Sequence, residues 1–321
     1  MKLGLLTCMF GDKPLKEVLE LIKPLGLDTV ELGAGGYPGD AHAPTKELLA
    51  SKPKREELLA MIKGEGLEIS ALSCHGNSLH PNKALAKEFQ KAQSDTIKLA
   101  GLLGVKTIND FSGCPGSDKK AEQPNWVTCA WPPDYLEILD YQWNEVVIPY
   151  WTKQAKFAKD NGVRVAFEAH PGFVVYNTET LLKIRKACGN NLGANFDPSH
   201  FFWQGIEPIE SVKALGGNAI FHVHAKDSKV DPVNSSINGV LDTKHYGDEA
   251  NRSWVFRTCG YGHSLEWWKD FFTALTLAGY DGPVSIEHED ARMSSQEGLT
   301  KAVEFLKQCI IRDKPGAMHW A

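Results

Sequence analysis

Eight times along this chain a short apolar run is followed by a stretch with helical periodicity, and no other feature narrows the fold as far. The runs are Lys2–Phe10, Thr29–Leu32, Glu68–Cys74, Val105–Phe111, Val163–Ala169, Leu192–Asp197, Ala219–Asp227 and Pro283–Glu289. Between them Leu15, Val18, Leu19 and Ile22, and later Leu299, Ala302, Val303 and Leu306, recur at the i, i+3, i+4, i+7 spacing of a buried helix face. Further helices are expected over Lys54–Lys63, Ala84–Leu103, Trp143–Asn161, Thr178–Ala187, Ile209–Leu215 and Leu265–Ala278. Strands that alternate with helices pair in parallel through right-handed crossovers. Eight such units over this length predict an α/β chain folded as one closed (β/α)8 TIM barrel, residues 1–321 forming a single domain. An open doubly wound sheet would place Gly-x-Gly-x-x-Gly after the first strand, where this chain has Phe10-Gly-Asp-Lys-Pro14.

Two connections are too long to be simple turns. Ser112–Gln142, after the fourth strand, carries Trp126, Trp131, Pro132, Pro133 and Tyr135, and Ser228–Gly262 follows the seventh. Loops of that length in compact domains are usually lids or binding loops, and this aromatic content predicts ordered contacts. The tail Asp313–Ala321 reads as surface or interface material.

Composition excludes several classes. The formal net charge of −5 implies no broad basic face for nucleic acid. Seven scattered cysteines, an odd number without a Cys-x-x-Cys pair, read as reduced thiols of a cytoplasmic protein rather than a disulfide frame or zinc ribbon. The opening apolar run stops at Gly11-Asp12 without a small-residue cleavage site, so a first buried strand is expected there rather than a signal peptide. No apolar run approaches the roughly 20 residues needed to cross a bilayer.

The ends of the last four strands carry the chemistry. In Ala219–Asp227, His222, His224 and Lys226 alternate with Phe221, Val223 and Ala225, so all three face one way. Alone, this pattern also fits an edge strand with one wet face. Its neighbours decide otherwise: the fifth run ends at Glu168-Ala-His170, the sixth at Asp197-Pro-Ser-His200 and the eighth at Glu287-His-Glu289. In a closed barrel these groups meet at one mouth, where catalytic residues of such folds sit. Carboxylates crowded together repel and desolvate each other unless a cation joins them. A divalent ion held by oxygens and one imidazole suits these residue types: Mn2+ first, with Mg2+, Co2+, Zn2+ or Ni2+ as alternatives.

With Glu168, Asp197, His224 and Glu287 at the ends of strands five to eight, the chain resembles the xylose-isomerase-like barrels and their metal ligands. Ser73-Cys-His-Gly-Asn-Ser-Leu-His-Pro81, Glu168-Ala-His-Pro-Gly-Phe173, Asp197-Pro-Ser-His200, His222-Val-His-Ala-Lys-Asp227, Gly260-Tyr-Gly-His263 and Gly279–Asp290 extend the likeness over nearly the whole chain. Within that group it is similar to sugar phosphate isomerases/epimerases, including ketose 3-epimerases and inosose-processing enzymes. The resemblance implies that Glu168 and Glu287 also move the proton, and that His200 binds substrate. It implies an isomerase or epimerase acting on a keto-sugar or cyclitol, by proton abstraction α to the carbonyl through a metal-stabilised enediolate. The ketose epimerases carry a substrate-binding glutamate six residues after the first ligand, and here that position is Val174.

Further substrate contacts are expected from His75, His170, Lys226, Arg257, His263 and Trp126. His170 reads nearly as well as a loop-bonded structural histidine, and Arg257 as a salt-bridge partner. His222, one pleat deeper, is expected to support His224. No glycine-rich nest in phosphate-loop spacing is present, so a neutral sugar, cyclitol or glycoside is the expected small-molecule partner, with no nucleic acid and no membrane. A homo-oligomer and a partner subunit are both compatible with the sequence. The long loops and Val174 support an alternative: a 3-keto-glycoside lyase or deglycosidase, resembling the catalytic subunits of C-glycoside deglycosidases, in which the same enolate expels a β-substituent. An apurinic-endonuclease-like phosphodiesterase shares the barrel but would need more metal ligands and a basic groove, which the net charge of −5 disfavours.

Overall fold

The computed structural model describes residues 1–314, 316 and 317. Most of the tail read above as surface material lies outside them. The strands are β1 (Lys2–Leu6), β2 (Thr29–Gly33), β3 (Glu68–Ser73), β4 (Thr107–Asp110), β5 (Arg164–Glu168), β6 (Leu192–Phe196), β7 (Ile220–Ala225), β8 (Asp227–Val230), β9 (Trp254–Arg257) and β10 (Pro283–Ile286). Eight of them close a barrel in the order β1-β10-β7-β6-β5-β4-β3-β2, every pair parallel. The predicted (β/α)8 barrel is therefore present, its closing seam being β1 against β10.

The outward strand residues are apolar. Leu3, Leu5, Val30, Leu32, Leu72, Ile108, Val165, Phe167, Val223 and Val284 are buried against the helices in one continuous core. Between the last helix and β10, Leu299, Ala302, Val303 and Leu306 are buried as their spacing predicts. The lumen is different. Glu31, Ser73, Asn109, Glu168, Asn195, His222, His224 and Ser285 are all buried, and hydrogen bonds run among them from strand to strand. A polar barrel interior is costly unless every group finds a partner. Glycines make room where the strands crowd. A Cβ on Gly193 would sit 2.6 Å from the Ala219 carbonyl oxygen, and one on Gly4 2.7 Å from that of Thr29.

Both long connections hold more structure than expected. Helix begins at Asp134, well before Trp143: Asp134–Tyr141 is α-helical, a wider π-turn spans Gln142–Val147, and α-helix resumes over Ile148–Asp160. Pro149 accounts for the interruption, because it lacks the N–H needed to continue the ladder. The irregular connection after β4 thus ends near Pro133. The excursion after β7 is pinned by an antiparallel hairpin, β8 with β9, and contains the helix Pro232–Asn238. Among the described residues no helix is long and apolar enough to cross a membrane.

Candidate metal centre

Parallel strands all end at the same rim, which brings residues far apart in sequence together. Glu168 closes β5, Asp197 follows β6, His224 lies in β7 and Glu287 follows β10. One nitrogen or oxygen from each of these four lies within 4.8 Å of the others. His224 Nδ1 stands 3.0 Å from Glu287 Oε2 and 3.2 Å from Glu168 Oε2. Asp197, His224 and Glu168 are buried, whereas the Glu287 side chain keeps 17% of its surface exposed.

The charges of this cluster explain its titration. Burial pushes the Glu168 carboxyl up, but hydrogen bonds from His200, His224 and His75 hold it well below the usual carboxylate range. Burial likewise opposes ionisation of Glu287, yet Lys226 and His224 bring it down to about 2. Asp197 moves the other way: burial and the negative charges of Glu168 and Glu287 raise it against the pull of Lys226 and His200. Its Oδ2 is buried and accepts no hydrogen bond, although His200 Nε2 is 3.3 Å away and Lys226 Nζ 3.5 Å. A buried carboxylate oxygen without a donor, within reach of two more carboxylates and an imidazole nitrogen, fits a divalent cation. Three carboxylates and one imidazole could hold such an ion, which would displace any proton on His224 Nδ1.

Beneath the four lies a residue that sequence reasoning passed over. Glu31, fully buried in β2, accepts hydrogen bonds from Asn109 Nδ2 (2.7 Å), from Ser73 Oγ and from His224 Nε2 (3.0 Å). Burial raises the Glu31 carboxyl, but the His224 and His222 imidazoles hold it below the usual range. A signal was available: Glu31 is the one charged residue in the apolar run Thr29–Leu32. The strand register shifts between Val30 and Glu31, and again between Ala194 and Asn195 across β6 and β7. Such irregularities re-aim side chains, and both adjoin residues of this cluster. Asn195, also unforeseen, donates to Glu168 Oε2 at 3.3 Å and accepts from His222 Nδ1 at 3.0 Å. His222 therefore sits below His224, and burial lowers its pKa to about 4.

Above the cluster a cavity of about 300 Å3 opens, lined among others by His75, Glu168, His170, Lys226, Glu287 and Glu289. His200 Nε2 donates to Glu168 Oε1 at 3.0 Å, and His75 Nε2 lies 3.2 Å from Glu168 Oε2. Lys226 is buried, with Nζ 2.7 Å from Glu289 and 3.1 Å from Glu287. His170 Nδ1 donates to the Pro171 carbonyl at 2.6 Å, which leaves Nε2 as an acceptor. Trp126 lines an adjoining cavity rather than this one. Two residues expected at the substrate lie elsewhere. Arg257 is taken up by Asp290 at 3.2 Å and Glu249 at 3.4 Å. His263 donates to Asp227 at 2.7 Å and stacks on Phe202 at 3.5 Å, away from the mouth. Both follow from the hairpin: β8 and β9 place Asp227 opposite Arg257, and the turn beyond wraps onto Asp227 Oδ2 through the N–H groups of Gly260, Gly262 and His263.

The chain belongs to the xylose isomerase-like TIM barrel family, which residues 19–309 match. The chain is 42% identical over 313 residues to the uncharacterized protein YfiH of Bacillus subtilis (strain 168), covering 97% of this chain and 99% of that one. It is 26% identical over 159 residues to an inosose dehydratase of Clostridium perfringens, covering 49% of this chain and 51% of the other. Among solved structures, an IolI protein with a bound zinc atom has the same fold, with a TM-score of 0.66 and 20% identity over 97% of this chain and 99% of its own.

Proposed function

We propose that the chain is a divalent-metal-dependent enzyme that removes the proton α to the carbonyl of a keto-sugar or cyclitol and returns it, as an isomerase or epimerase does. The observation that carries this reading is the convergence of Glu168, Asp197, His224 and Glu287 within 4.8 Å, with Glu168 and Glu287 both lining an open cavity. These four are the proposed metal ligands. When bound, the ion supplies Lewis acidity to the substrate oxygens and stabilises the negative charge that develops on them. Mn2+ is favoured by the oxygen-rich donor set, and the zinc of the IolI protein supports a related alternative.

Glu287, the more exposed of the two glutamates, takes the proton; the C–H electron pair moves into the C–C bond and the carbonyl π pair onto oxygen. Glu168, once it has taken a proton from water in the cavity, delivers it to the carbon from the other side; the oxygen lone pair re-forms the carbonyl, the C–C π pair forms the new C–H bond, and Glu287 gives its proton back to water. Lys226 is 3.1 Å from Glu287 and neutralises the charge gathered at the mouth. His170 Nε2 and His75, which line the cavity, bind substrate hydroxyls in this reading, and His200 holds Glu168. A cytoplasmic location suits seven cysteines that all remain free.

One observation favours a second reading. The similarity to an inosose dehydratase supports elimination, in which the same proton abstraction is followed by loss of a group β to the carbonyl. The 3-keto-glycoside lyase is the form of that reaction that releases an aglycone. One experiment tests both: the Mn2+-loaded protein is incubated in heavy water with ketoses, inososes and 3-keto-glycosides. Deuterium in a recovered isomer supports the first reading, and release of water or aglycone supports the second. No exchange and no release with any substrate overturns both.

A further inference from the structure

The cavity over the candidate metal ligands does not end at the sugar-sized space beside them. His170 lines it and also lines a neighbouring cavity of about 260 Å3, walled by Trp126, Trp203, Tyr246 and Trp254. His170, Tyr246 and Glu289 line a third, of about 420 Å3. His170 is common to all three, so they adjoin around one imidazole. By itself the first, at about 300 Å3, is at the small end of the roughly 300–1,000 Å3 typical of small-molecule sites.

The neighbouring compartment is built from the segments the barrel does not need. Trp126 comes from the connection after β4, and Tyr246 and Trp254 from the excursion after β7. Trp203 and Trp254 lie face to face, centroids 4.6 Å apart and planes 2° from parallel, which fixes a rigid flat wall. Trp126 is held edge-on by Tyr176 at 5.4 Å. The indole donors differ in a telling way. Trp254 Nε1 donates to the Val240 carbonyl at 3.2 Å, whereas the buried Nε1 atoms of Trp126 and Trp203 have no acceptor. Buried donors are normally satisfied, and both of these belong to residues that line the same cavity. Aromatic faces with a few polar groups suit a flat ring, through its π face or its C–H face.

We propose that this aromatic compartment binds the second unit of the substrate, a flat ring joined to the reacting keto-sugar or cyclitol, so that the substrate is a glycoside rather than a single free ring. This rests on the reading that the metal end takes the reacting sugar. His170, at the junction, spans the linkage and accepts from a hydroxyl beside it. The flat unit can be an aryl aglycone or a second pyranose, because both present the face these walls require.

The test uses the full-length, Mn2+-loaded protein, with binding read by calorimetry and by indole fluorescence for methyl β-glucoside, phenyl β-glucoside and cellobiose. Phenyl β-glucoside or cellobiose should bind about tenfold or more tightly than methyl β-glucoside, a gain ordinary for burying one flat ring. Preference for phenyl identifies an aryl unit, and preference for cellobiose a pyranose. Leu241, 71% exposed, and Tyr246, 52% exposed, line the compartment and can be truncated with little risk to folding. Leu241→Ala and Tyr246→Ala should each reduce the ratio of affinities, measured within one variant, at least about threefold. Equal affinity for all three glycosides, or a ratio unchanged in both variants, overturns the proposal. Deuterium exchange and group release are scored separately on 3-keto-glucosides: a ring preference without either removes the proton-transfer reading and leaves the compartment, and exchange or release without a ring preference does the reverse.

Discussion

His224 Nε2 stands 3.0 Å from Glu31 Oε2, and on the far edge of the same ring Nδ1 stands 3.0 Å from Glu287 Oε2. With Nε2–H donated downward to Glu31, Nδ1 is left free to bind a cation above. A carboxylate behind a metal-binding histidine fixes both the tautomer and the ring plane. Glu31→Gln should weaken Mn2+ binding about 10–100-fold, as read by calorimetric titration. Glu31→Ala strands buried donors as well, and should cost about 3–5 kcal/mol in urea denaturation of the metal-free protein. Unchanged metal affinity in the glutamine variant would detach Glu31 from the site.

Glu168 and Glu287 are each proposed to serve twice, as ligand and as proton carrier, and the two roles separate by measurement. Glu287→Gln keeps an oxygen donor but has no basic carboxylate, so deuterium uptake from heavy water should fall by about 10²–10⁴-fold while some metal affinity survives. Glu168→Gln should do the same and also loosen His200 and His75, both of which face this carboxylate. Exchange at the wild-type rate in either variant refutes the assigned pair.

Lys226 lies within 4 Å of Asp197, Glu287 and Glu289 and is buried. In Lys226→Met those carboxylates lose the ammonium beside them. The metal-free variant should melt earlier than wild type, and Mn2+ should restore more of its Tm than it adds to wild type, by about 5 °C or more. Equal metal-induced shifts in the two proteins would show that Lys226 does not balance these charges.

Asp110 provides a pH test away from the candidate ligands. It is buried, accepts from Gln93 Nε2 at 2.5 Å, and burial pushes its carboxyl from 3.8 to about 7. Between those values the folded chain holds a proton that the unfolded chain has lost, so stability falls as pH rises. The contribution is complete below 3.8 and is lost by about pH 7, on the order of 4 kcal/mol at most. Asp110→Asn cannot titrate. Relative to wild type it should gain stability between pH 5 and pH 8, measured by urea denaturation at each pH, and a constant difference would mean that Asp110 ionises normally.

The barrel could be read from the chain because its outward strand faces and inward helix faces obey local periods. Leu299, Ala302, Val303 and Leu306 fall where the helical repeat puts them, and eight strand–helix units leave little topological choice. The candidate ligands were legible for a related reason: in a parallel barrel every strand end reaches one rim, which gathers the carboxylates and imidazoles of the last four strands, and the resemblance to the xylose-isomerase-like barrels singles out Glu168, Asp197, His224 and Glu287 among them. Glu31 was not, because it lies within a strand and a register shift turns it beneath His224. Arg257 and His263 read as substrate contacts on residue type, yet an antiparallel hairpin gives them to Asp290, Glu249 and Asp227. The sequence by itself determined the barrel and the chemistry of its rim, since both follow from short-range periodicity. Only the tertiary structure decided which buried carboxylate lies behind His224 and which aromatic side chains wall the second compartment. Those depend on strand register and on loops crossing the mouth, which bring together residues whose sequence separation carries no periodic signal.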